Sequence, residues 1–228
     1  MAVAALALFA AVITRGPVMP VAATVVATQQ AAGTLPVAAL RPLAVFLGDS
    51  YTQGLGASSE STRWVNMTAS AKGWDFVNLG RGGSGYFTPS TPQACFHPVC
   101  PNYAGMIPEV AAESPDYIVV AGGQNDFSAF DTSRQRVVEA IRTTYAALRA
   151  SFPHAQIIAI GPSTSSAVTP DVELFDRVVQ DAAASVHAQY VSLIDPNVIG
   201  DGMFFEDKIH VNDAGHKAIA KRIIAAVR

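Results

Sequence analysis

Ser50 stands where the apolar run "VFLG" gives way to polar residues, and far downstream His210 closes the tetrapeptide "DKIH", with Asp207 three residues before it. A hydroxyl, an imidazole and a carboxylate are the parts of an activated nucleophile. The first attacks, the second takes its proton, and the third fixes the tautomer of the base and stabilises the imidazolium that forms. The spacing lets a single turn hold the Asp207 carboxylate against one ring nitrogen of His210 while the other faces Ser50. Acyl transfer also needs donors for a developing oxyanion. Gly82 and Gly83, in "NLGRGGSGY", leave a backbone N–H uncovered, Asn125 in "GGQND" supplies a side-chain amide, and the N–H of Ser50 is a third donor. These residues are equipped to cleave an ester through an acyl-enzyme on Ser50, with no cofactor and no metal.

Each piece also has a plainer reading. A serine behind a strand is commonly a helix cap. Gly80 to Gly85 spells G-x-G-x-x-G, but that dinucleotide fingerprint needs a helix opening at the glycines and an acidic residue about 20 positions on. Here "YFTPSTPQ" follows, and no Asp or Glu occurs between Phe76 and Pro108. No G-x-S-x-G surrounds Ser50, which sets aside the α/β-hydrolase elbow. A metal set of Asp49, Asp126, Asp207 and His210 lacks the usual H-x-H or H-E-x-x-H spacing. Asp49 and Asp126 read instead as carboxylates that organise loops. His216 reads as a structural hydrogen bonder, and His97, His154 and His187 as surface residues.

The elements that must position these groups follow from the hydrophobic pattern. Leu43–Leu47, Asp75–Leu79, Tyr117–Ala121, Gln156–Ile160 and Tyr190–Ile194 are short, nearly continuous apolar runs, as strands buried on both faces should be. Between them lie helical patterns. Val138, Ile141, Tyr145 and Leu148 fall on one face of "SRQRVVEAIRTTYAALRASF"; Phe175, Val178, Val179, Ala182 and Val186 do so after Pro170, a residue suited to a helix start. The last helix is expected from Asp213 as N-cap, with Ile219 and Ile223 inward. Alternating strands and helices predict an α/β fold: a flavodoxin-like, five-stranded parallel sheet in three α/β/α layers. Ligands bind such sheets beyond the carboxyl ends of the strands, where Ser50, Gly83, Asn125 and the His210 segment fall.

A chain of 228 residues, 50% hydrophobic and 14% charged, can bury one sizeable core. Its net charge of −3 is scattered, and no basic run marks a nucleic-acid surface. Residues 1–40 differ from the remaining domain, 41–228, in holding a single charge, Arg15. Met1 to Thr14 is short for a membrane span and suits the apolar region of a secretory signal, although the usual preceding positive residues are missing. Val25-Val26-Ala27 fits a position before a cleavage site. A membrane anchor or a misplaced start is the alternative. Export would place the protein outside the cell or at the cell envelope, with the N-terminal segment as the point of association. Cys95 and Cys100, the only cysteines, then fit a local disulfide in a Pro-rich loop; two free thiols are the other reading.

The four strand-end segments resemble the SGNH hydrolase superfamily, the GDSL-type esterases and lipases. "GDSYTQG" matches its first block, "NLGRGGSG" its second, "GGQND" its third and "DKIH" its fifth, in family order from Val45 to His216. The resemblance implies a serine esterase with Ser50 as nucleophile, an oxyanion hole of Ser50, Gly83 and Asn125, and a triad completed by Asp207 and His210. Gly82 is adjacent to Gly83 and equally small. Tyr51 departs from the leucine common at its position and is expected to shape the pocket. The implied substrates are small-molecule or lipid esters of short or medium acyl length. Removal of O-acetyl groups from a carbohydrate and acyl transfer by the same triad are the alternatives, and a binding module without turnover is a further one that the complete residue set opposes.

Overall fold

The computed structural model describes residues 40–227; the signal or anchor segment of the sequence analysis lies outside the described residues. In chain order the elements are β1 (Leu43–Gly48), α1 (Ser50–Gln53), α2 (Trp64–Lys72), β2 (Asp75–Gly80), α3 (Pro92–Cys95), α4 (Ile107–Glu113), β3 (Tyr117–Ala121), α5 (Phe127–Ser151), β4 (Gln156–Ile160), α6 (Pro170–Ser185), β5 (Gln189–Val191) and α7 (Asp213–Ala226). The strands form one parallel sheet in the order β2-β1-β3-β4-β5. Successive side chains point to opposite faces of a strand, and both faces here are covered. Val45, Leu47, Ile118 and Val120 pack under α4, α5 and α6 with Val110, Ile141 and Phe175. Ala44, Phe46, Val119 and Ala121 pack under α2 and α7 with Trp64, Ile219 and Ile223. Burial on both sides is why β1, β3 and β4 read as unbroken apolar runs; the edge strands depart from that expectation, β2 starting exposed at Asp75 and Phe76 and β5 being only half-buried before Val191.

Several boundaries differ from the sequence reading for local reasons. β5 ends at Val191, not Ile194. Ser192 turns the chain there, its hydroxyl accepting the N–H groups of Ile194 and Asp195 at 3.2 and 2.9 Å. α5 starts upstream of the expected segment, with Ser133 at non-helical φ/ψ inside it. Its core position is Val137, fully buried, whereas Val138 is half-buried beside it. Asn212, not Asp213, caps α7, accepting from the N–H groups of Ala214 and Gly215. Asp213 is the first helical residue, and its carboxylate takes the N–H and hydroxyl of Ser58 instead.

Candidate active site

The carboxyl ends of β1, β2, β3 and β4 and the loop before α7 meet at a cleft of about 530 Å³. Ser50, Gly82, Gly83, Asn125 and His210 line it together. Ser50 is the first residue of α1, so its N–H has no partner within that helix. Its hydroxyl makes no hydrogen bond among the described residues, with His210 or with any other group. His210 Nδ1 is 2.6 Å from Asp207 Oδ2. The other oxygen, Oδ1, accepts the N–H groups of Ile209 and His210, both at 2.9 Å, so Asp207 holds the ring and the turn beneath it at once. Slight burial opposes ionisation of Asp207, but these hydrogen bonds outweigh it and hold the carboxyl down at about 2.

The donor side is built by mutual anchoring of two loops. Asn125 Nδ2 donates one hydrogen to Ser84 O at 2.8 Å, leaving the second amide hydrogen free for the cleft. Asp126 accepts the N–H groups of Tyr86 and Thr88 at 2.7 and 2.9 Å, which pins the chain just beyond the glycines. Partners distinguish Gly82 from Gly83. Gly82 N–H is taken by Gln53 Oε1 at 2.9 Å, whereas Gly83 N–H has no partner among the described residues. Gly83 has φ +77°, a conformation that a side chain would strain. The glycine run opens no helix; α3 begins only at Pro92.

The remaining polar groups are structural. Asp49 is fully buried and accepts Tyr51 N–H at 2.9 Å and the Tyr103 hydroxyl at 3.2 Å. Burial pushes its carboxyl up to about 7 against the pull of those donors. A carboxyl raised above its unfolded value of 3.8 favours the fold when protonated. That contribution is full below about pH 4 and is lost as the pH rises through about 7. Burial shifts Asp126 and Asp176 in the same direction. Relative to Asp49→Asn, the parent's urea midpoint should therefore fall between about pH 5 and about pH 8, because the opposite contribution of the buried His216 ring is common to both proteins. A difference between the two midpoints that is constant over this range would refute the assignment. His216 is buried, donates from Nε2 to Leu55 O at 3.1 Å and accepts Trp64 N–H at Nδ1 at 3.4 Å. Its burial holds the ring below the ordinary imidazole range. His97, His154 and His187 are exposed. Cys95 and Cys100 are paired, with Cα atoms 6.4 Å apart. No group of three or more His, Cys, Asp or Glu side chains suited to a metal ion is found among the described residues.

The family model of GDSL-like lipases and acylhydrolases matches residues 46–218, the span that carries every residue of the cleft. The chain belongs to this family. By that membership it is a carboxylic ester hydrolase of the SGNH type. The GDSL lipase Rv0518 of Mycobacterium tuberculosis is 29% identical over 200 residues, covering 81% of this chain and 80% of that protein. The crystal structure of TesA superposes with a TM-score of 0.64 at 20% identity, over 82% of this chain and 98% of that one. An acetyl xylan esterase (Est2A) from Butyrivibrio proteoclasticus superposes with a TM-score of 0.61 at 20% identity, over 82% and 63%. These two likenesses establish the shared fold.

Parts of the cleft are absent from the sequence reading. Gln124 and Ser163 to Ser166, behind β3 and β4, form a polar wall. The string "GPSTSS" after β4 lies at a strand end like the others, so topology was a signal for it. Tyr51 lines the cleft, and its hydroxyl donates to Ile209 O at 2.6 Å. It thus ties the residue after Ser50 to the residue before His210. Among the described residues, no helix is long and apolar enough to cross a membrane.

Proposed function

We propose that Ser50 attacks the acyl carbon of an ester while His210 Nε2 takes its proton. The oxyanion is received by the N–H groups of Ser50 and Gly83 and by Asn125 Nδ2. His210 then protonates the departing alcohol, and the acyl-enzyme is hydrolysed by a water that the same ring deprotonates. The observation that carries this reading is the 2.6 Å Asp207–His210 pair opening on the same cleft as Ser50 and two unspent donors. Short or medium acyl esters, including simple lipids, are the substrates we favour. Leu55, Ala94, Phe127 and Ile209 supply apolar cleft surface for the acyl chain. Removal of O-acetyl groups from a carbohydrate is the second reading, favoured by the wall of Gln124 and Thr164 to Ser166, whose hydroxyls and amide suit a polyhydroxylated alcohol. A panel of acyl esters of increasing chain length beside an acetylated polysaccharide tests both. Turnover of the polysaccharide alone would overturn the first. Pairing of Cys95 with Cys100 supports a secreted or envelope-associated protein, since such bonds persist in oxidising compartments.

Asn125→Ala should fold and lose about 10²–10³ in kcat, the scale of one oxyanion donor. KM should move much less, because the donor acts on charge that develops in the transition state. Steady-state kinetics checks this. A loss confined to KM would make Asn125 a substrate-binding residue instead.

A further inference from the structure

The peptide joining Gly82 to Gly83 is gripped from behind. Its carbonyl oxygen accepts the Ser90 hydroxyl at 2.5 Å. The Ser90 N–H donates to Cys100 O at 2.9 Å. On the other side of Gly82, the N–H donates to Gln53 Oε1, while Gln53 Nε2 donates to Cys95 O at 3.0 Å. Both polar groups of Gly82 therefore lead, through one side chain each, to the backbone of a paired cysteine. Gly82 also lies too close to this loop for a side chain: an added Cβ would stand 2.5 Å from Ala94 O.

The geometry points to Ser90 as a positioning residue for the oxyanion hole, setting the direction of the Gly83 N–H from the far side of the peptide plane. This inference rests on the proposed role of Gly83. A peptide is planar, and this one is trans, so its C=O and N–H point in opposite directions. Fixing Gly82 O against Ser90 thus turns Gly83 N–H away from Ser90 and toward the cleft that Gly83 lines. A hydrogen bond accepted by the carbonyl also polarises the amide, which makes its N–H a stronger donor. The Cys95–Cys100 loop is the frame against which Ser90 is held.

Four proteins test this with a chromogenic acetyl ester: parent, Ser90→Ala, Ser90→Thr and Ser90→Val. Active sites are counted by fluorophosphonate labelling. Ser90→Ala should lose about 10-fold in kcat with KM within about 2-fold, a fraction of the loss expected when a whole donor is removed. Ser90→Thr keeps the hydroxyl and should recover most of the rate. The Thr and Val variants match in shape and differ in the hydroxyl, so the comparison stands even if Ser90→Ala does not fold. Equal kcat in Thr and Val, or parent-like kcat in Ser90→Ala, would overturn the positioning role. Failure of the parent to label at Ser50 would instead overturn the serine mechanism on which it rests.

Discussion

Ser50→Ala should abolish ester hydrolysis, with a loss on the order of 10⁶ in kcat, while circular dichroism and thermal midpoint stay close to those of the parent. The two halves of this expectation have separate causes. The hydroxyl makes no hydrogen bond among the described residues, so its removal leaves no partner unsatisfied. The loop around it is organised by Asp49 through Tyr51 N–H, not by Ser50 itself. The chemistry, by contrast, has no second hydroxyl to fall back on at the end of β1. Thr52 is fully enclosed behind Ser50, and Ser163 is 2% exposed on the far wall. Turnover near the parent value, from a protein with an unchanged spectrum, would end the serine reading.

Asp207→Asn should lower kcat by about 10⁴, the scale seen when a triad acid becomes an amide. The structure gives the loss a specific origin. Asp207 uses both oxygens, one for the His210 ring and one for two backbone N–H groups. An asparagine has a single acceptor oxygen. If that oxygen keeps the turn, the NH₂ faces Nδ1 and selects the wrong tautomer; if it faces the ring, the turn loses its acceptor. The parent carboxyl is held at about 2, so the negative charge lost in the variant is present at any working pH. Without that charge the imidazolium that forms during the reaction loses its stabilising partner. Full activity would mean that another group orients the base.

The fold and the cleft were legible in the sequence to different depths. Strands buried on both faces announce themselves as apolar runs, and a chemical group just behind such a run has few places to be other than the sheet's edge. That logic located Ser50, Gly83 and Asn125, and the three-residue spacing brought Asp207 to His210. That the Gly82 N–H is already spent was hidden, because it depends on Gln53, 29 residues earlier, reaching across to accept it. Ser90 was hidden for the same reason: a hydroxyl's hydrogen bond to a distant carbonyl leaves no periodicity. Val137 and Val138 are neighbours on α5: against Ile141, Tyr145 and Leu148 a 3.6-residue wheel puts Val137 inside the buried face and Val138 at its edge, and choosing Val138 followed the three-residue step to Ile141 rather than the centre of that face. β5 looked longer than it is because Leu193 and Ile194 are buried after the strand has ended.

The proposed nucleophile and base come from opposite ends of the domain. Ser50 follows the first strand, and His210 waits until the loop before the last helix. A nascent chain that has left the ribosome through β5 already carries Ser50, the proposed oxyanion donors and all five described strands, yet it lacks the proposed base. The missing residues arrive with α7, whose Ile219 and Ile223 complete the core beside Trp64, and whose His216 ring fastens Leu55 and Trp64 behind the serine. Hydrolytic competence and final burial therefore arrive together, so during synthesis or refolding the appearance of activity should time the docking of the C-terminal helix.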